Sequence, residues 1–92
     1  LATTAINAEE VLFAPYYAGA QKSLQDALML LKGLKILVYD FESVLHTLQL
    51  KSSLKRAGKE INDFDHMIAG ICLTHNATIV TRNTEHFSRI QN

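Results

Sequence analysis

Asp63, Asp65 and His66 stand in the stretch INDFDHMIAG (residues 61–70), ahead of a run that is apolar almost without interruption to Leu73. An ionised carboxylate buried without a partner is costly, so acids at the mouth of such a run need a reason. Two are available. Acids in the first turn of a helix answer the positive end of its dipole and satisfy N–H groups that have no carbonyl to bond. Alternatively, hard carboxylate oxygens gather around Mg²⁺ or Mn²⁺. Either Asn62 or Asp63 suffices as a cap, which leaves Asp65 a surplus charge in want of a cation. His66 projects about 100° away from Asp65 on a helix, so the two are not expected to share an ion, and His66 reads as a surface or packed side chain. His46 falls on the charged side of its helix, and His75 at a helix C-terminus, where the dipole suits an imidazolium. No pair among the four histidines has zinc spacing.

These residues have to be positioned by an alternation of strands and helices. LATTAI (1–6) reads as a short strand, with Asn7 as the cap of a following helix and Glu10 at capping-box spacing from it. Pro15 should kink or restart that helix. A second helix is expected from about Ala20 to Lys32, because Leu24, Ala27, Leu28 and Leu31 recur at helical spacing, and Gly33 ends it. KILVYD (35–40) reads as a strand. Asp40 then caps a helix in which Phe41, Val44, Leu45, Leu48 and Leu54 share a side, and Gly58 ends it. Residues 63–75 form a central helix, ATIVT (77–81) a strand, and Asn83 with Thr84 starts a short helix through Phe87. The order predicts an α/β fold with helices packed on a mainly parallel sheet.

A chain of 92 residues has room for one core, so a single domain over 1–92 is expected. Nine Lys and Arg against nine Asp and Glu leave no net charge, so any attraction for nucleic acid has to be local. Lys51, Lys55, Arg56 and Lys59 form one basic run, simplest as a solvated helix face, with phosphate binding as the alternative. Cys72, the one cysteine, has no second thiol to bridge, which fits a reducing, cytoplasmic setting and an inert side chain. No apolar run approaches the roughly 18 residues of a membrane span.

A helix that feeds a parallel strand starts near that strand's finish. Asp65 at a helix start and Asn83 at a strand end therefore converge, and Glu10 joins them if the first strand is parallel too. That edge is where open α/β sheets hold ligands.

INAEEVLFA (6–14), the YDF step (39–41) and GKEINDFDHMIAGICLTHNATIVTRNTEHFSRI (58–90) together resemble the PIN-domain nucleases, in particular the VapC-like toxins of toxin–antitoxin pairs. The resemblance implies a three-layer α/β/α fold, here incomplete, and a Mg²⁺- or Mn²⁺-dependent endoribonuclease. It carries onto Glu10 and Asp65 as catalytic and metal-holding carboxylates, with Asp63 as a further carboxylate beside them. Thr81 and Asn83 match polar residues at the last strand's end, where they would orient a water or a phosphate, and Arg82 is a candidate phosphate contact. An RNA substrate, a cognate antitoxin and a homodimer are the implied partners. The family's first ligand is an Asp on an N-terminal strand, and its closing strand follows the residues seen here. The chain is thus expected to be truncated at both ends, with weak Mg²⁺ affinity from two carboxylates. His86 occupies a position that is often acidic in the family. The rival expectation is a catalytically degenerate interaction module whose carboxylates only cap helices. A metal-dependent phosphatase or DNA nuclease would share the same edge geometry.

Overall fold

The computed structural model describes residues 1–76; the expected strand at 77–81 and the short helix after it lie outside them. The described elements are β1 (Ala2–Thr4), α1 (Ala5–Ala18), α2 (Gln21–Lys32), β2 (Lys35–Leu37), α3 (Phe41–Arg56) and α4 (Asp63–His75). β1 and β2 pair in parallel, Thr3 opposite Ile36, as an α/β chain with a helical crossover requires.

Both strands are shorter than the β-rich composition suggested: β1 ends at Thr4, whose side chain caps α1, and β2 ends at Leu37, ahead of the Asp40 cap. Thr4 rather than Asn7 caps α1: its Oγ1 accepts from the Asn7 backbone N–H at 3.0 Å and donates to Asn7 Oδ1 at 2.8 Å. Pro15 neither stops nor restarts the helix, which runs on to Ala18; the cost is one missing ladder donor near the C-terminal end. A left-handed Gly19 (φ 65) closes α1. Its N–H bonds Tyr16 O and that of Ala20 reaches back to Pro15 O, the paired arrangement that lets glycine end a helix.

α3 departs from its apolar pattern. The residues it buries are Ser43, Thr47 and Leu54, whereas Phe41 is 73% exposed and Leu45 and Leu48 are about half exposed. The reason stands on α4. A Cβ at Gly70 would meet Ser43 O at 2.7 Å and overlap Thr47 Oγ1, so the helices approach too closely at this point for large side chains. Thr47 satisfies its hydroxyl by donating to Ser43 O at 2.7 Å. Further along, Thr74 donates to Gly70 O at 2.9 Å and lies 2.8 Å from His46 Nδ1. Thr74 has a single hydroxyl proton, so His46 donates from Nδ1. His46 is thus a strut between helices rather than part of a charged face.

Lys51 pairs with Asp63 at one end of this contact and His75 approaches Asp40 at the other, so α3 and α4 run antiparallel. Among the described residues α4 supplies half of the buried apolar side chains: Ile68 and Ile71 are fully buried, with Ala69 beside them and Leu37, Leu54 and Ile61 around. Each buried Ile contributes about 1.5–3 kcal/mol relative to exposure. Cys72 is half buried, and burial pushes its thiol up, in keeping with an inert role.

Gly70→Ala is expected to destabilise the protein by about 1–3 kcal/mol, the usual range for overpacking; urea unfolding followed by circular dichroism measures it, with Gly33→Ala as the control, since only Leu30 O lies near the Cβ built there. A pH effect follows from Asp40, whose Oδ1 accepts from both the Ser43 hydroxyl and the Ser43 N–H. These bonds hold its carboxyl below the ordinary 3.8. Between the folded and unfolded values the unfolded chain binds more protons, so the contribution is complete above 3.8 and lost as pH falls through the folded value. The stability difference between the native protein and Asp40→Asn, which keeps a capping oxygen, should be constant near neutrality and shrink in acid.

Candidate functional site at the head of the core helix

Glu10 lies in the second turn of α1, because the helix starts at Ala5. The capping box expected between Asn7 and Glu10 is therefore not formed, and Asn7 is turned inward, buried against Thr4. Glu10 is exposed and makes no ion pair among the described residues. A capping role no longer accounts for it.

Asp65 is the opposite case, 1% exposed at the start of the most buried helix. Asn62 caps α4, its Oδ1 accepting from the Asp65 N–H at 2.9 Å, while its Nδ2 donates to Asp65 Oδ2 at 2.9 Å. One side chain thus satisfies the helix end and orients the carboxylate. α1 packs against α4, so the two acid-bearing helices touch. Two hard oxygen donors on neighbouring helices suit a divalent cation that keeps most of its waters. Among the described residues no group of three or more His, Cys, Asp or Glu could hold a metal ion.

Asp63 faces elsewhere. Its Oδ1 lies 3.0 Å from Lys51 Nζ on α3, and that hydrogen bond and charge hold its carboxyl below the ordinary range. His66, one turn further in, is 3% exposed, and neither ring nitrogen has a hydrogen-bond partner among the described residues. Burial pushes its imidazole below 6.5, with Lys51 adding to the effect and Asp63, Asp65 and Glu60 opposing it. His66 and Asp63 line a cleft of about 100 Å³ with Lys51, Lys55, Glu60 and Ile61.

The sequence-predicted residues therefore divide. Asp65 and Glu10 stand on touching helices, Asp63 joins a separate polar group with Lys51, and Thr81, Arg82 and Asn83 lie outside the described residues. Sequence reasoning missed the meeting of Lys51 with Asp63 and His66. The basic run was the available signal, yet nothing local says which helix it will face.

A parallel α/β pairing with a buried acid at the head of the core helix fixes the fold class but not the family, and the comparisons with known proteins supply it. The PIN domain model matches residues 1–92, and the chain belongs to that family. It is 36% identical to the tRNA(fMet)-specific endonuclease VapC of Salmonella typhimurium strain LT2, over 78% of this chain and 59% of that protein. It is 40% identical to the protein of the same name from Shigella flexneri, over 60% of this chain and 42% of that one. Its structure is similar to VapBC-1 from nontypeable Haemophilus influenzae, with a TM-score of 0.82 and 26% identity, covering 98% of this chain and 68% of that one. It is also similar to DNA-bound VapBC from Salmonella typhimurium, with a TM-score of 0.68 and 30% identity, covering 95% and 67%. The chain spans less than two thirds of the length of these curated relatives.

Asn and Asp are equally good caps, so Asn62→Asp would be neutral if capping were the whole role of residue 62. The Asn62–Asp65 geometry predicts a loss instead, about 1–3 kcal/mol, since a carboxylate replaces the donor facing a buried carboxylate; chemical denaturation at neutral pH reads it directly.

Proposed function

We propose that the chain is the PIN domain of a toxin-type endoribonuclease that cleaves RNA and is neutralised by a cognate antitoxin. The observation that carries this reading is Asp65: a fully buried carboxylate, oriented by Asn62, at the head of a core helix that touches the helix bearing Glu10. The kinship with endonucleases named for tRNA(fMet), and with toxin–antitoxin complexes, supports the substrate class and the partner.

In this reading Glu10 and Asp65 would hold a Mg²⁺ or Mn²⁺ ion, which when bound would supply a water of lowered pKa and positive charge against the negative charge that builds on the phosphodiester during attack. Asn62 fixes the Asp65 oxygen, and the apolar body of α4 keeps that carboxylate from wandering. Glu10, exposed, is free to meet the ion from the solvent side. Thr81, Arg82 and Asn83 contact the substrate backbone, and Asp63 is engaged by Lys51 rather than by the ion. The active unit is a homodimer acting in the cytoplasm.

Incubation of the protein with a structured RNA should give cleavage with Mn²⁺ and none in excess chelator. Asp65→Asn and Glu10→Gln should each lower the rate at least about 100-fold, as loss of an electrostatic stabiliser does. Cleavage that persists in chelator, or that survives both substitutions, would falsify the mechanism. An intact fold with no cleavage and no rise in melting temperature from millimolar Mn²⁺ would instead identify a non-catalytic interaction module.

A further inference from the structure

His66 is the side chain that the proposed chemistry leaves without a task. It is 3% exposed, both of its ring nitrogens lack a hydrogen-bond partner among the described residues, and it lines a cleft between the C-terminal half of α3 and the first turn of α4. Buried polar atoms are almost always paired, so an imidazole abandoned on both nitrogens at the wall of a cleft marks where a ligand group would sit. The other walls say what kind. Lys51 is engaged by Asp63 at 3.0 Å. Lys55 makes no ion pair among the described residues, and Arg56 and Lys59 continue the positive run along the chain. A metal ion is a poor fit, because His66, Asp63 and Glu60 do not form a group able to hold one. Whole small molecules occupy pockets of about 300–1,000 Å³, so a cleft of about 100 Å³ takes a single group of a larger ligand.

We propose that this cleft is a phosphate subsite for a backbone phosphate of the RNA, received by Lys55 and the edge of the Lys51–Asp63 pair, with the His66 ring as the hydrogen-bonding wall. The proposal rests on the reading of the chain as a ribonuclease and adds to it a contact away from the Glu10–Asp65 pair. It gives the basic run a substrate role rather than that of a solvated helix face. An imidazole carries at least one N–H donor in either protonation state, which matches a phosphodiester oxygen.

Binding of a short single-stranded oligoribonucleotide, measured by fluorescence anisotropy in chelator so that no cleavage intervenes, tests the subsite. Lys55→Ala should weaken binding several-fold and lower the slope of log K against log salt by about 0.7, the loss of one phosphate contact. His66→Leu should weaken binding as well, yet hold or raise the thermal midpoint, because it removes two unpaired buried polar atoms. A histidine kept only for packing would give the reverse, lower stability with unchanged binding, and that result would overturn the proposal. Inorganic phosphate at millimolar concentration should shift the His66 ring resonances in the native protein and not in Lys55→Ala; no shift in either would overturn it too. Displacement of the RNA by poly-glutamate at equal charge concentration would reassign the cleft to an acidic protein segment. Failure is assignable: a protein that cleaves RNA with Mn²⁺ but binds equally well in both variants loses only the subsite. One that neither binds nor cleaves loses both readings.

Discussion

Gly70 lets the backbones of α3 and α4 come together until Ser43 and Thr47 fill the space that a side chain would have taken, and the rest of the described architecture follows from that contact. Because the approach is set by small residues, the helices cannot slide or rotate without driving Thr47 into the α4 backbone. The antiparallel register then brings Lys51 to Asp63 and Asp40 to His75. It also puts His46 against Thr74, a hydrogen bond that carries one helix's side chain onto the other. Interiors packed this tightly transmit small changes rather than absorbing them, which makes a glycine remote from the acids a determinant of where the acids point.

α4 combines two demands that compete. Ile68, Ala69 and Ile71 make it the centre of the core, while Asp65 and His66, buried just ahead of them, put polar groups where apolar ones would be more stabilising. Asn62 offsets part of this for Asp65 by serving as cap and carboxylate partner at once. His66 finds no such partner among the described residues. A local rule broken inside an otherwise consistent core is the pattern expected of residues retained for function, and it appears at the helix head nearest the proposed chemistry.

Much of this was legible from residue types. The alternation of elements, the cap at Asp40, the stop at Gly33, and the centrality of residues 63–75 all follow from local chemistry acting within a few residues. The errors share a cause. Asn7 has the chemistry of a cap, but Thr4 stands three residues earlier with the same chemistry, and the end of a three-residue strand decided between them. The stripe of Phe41, Leu45 and Leu48 is a valid helical face, but α3 packs through Ser43 and Thr47 because its partner offers a glycine. Periodicity names the faces that could pack; only the partner chooses one.

The sequence by itself determined the class of fold, the helix that carries the core, and the acids Glu10 and Asp65 as the residues worth asking about, since capping, burial cost and periodicity are properties of short segments. Tertiary structure decided which of those acids is enclosed and which is open to solvent. It also decided that Asp63 belongs to Lys51, and that His66 is stranded beside a cleft. Those outcomes depend on residues from different helices meeting across a close contact, and no local pattern encodes the angle and register at which two helices come to rest.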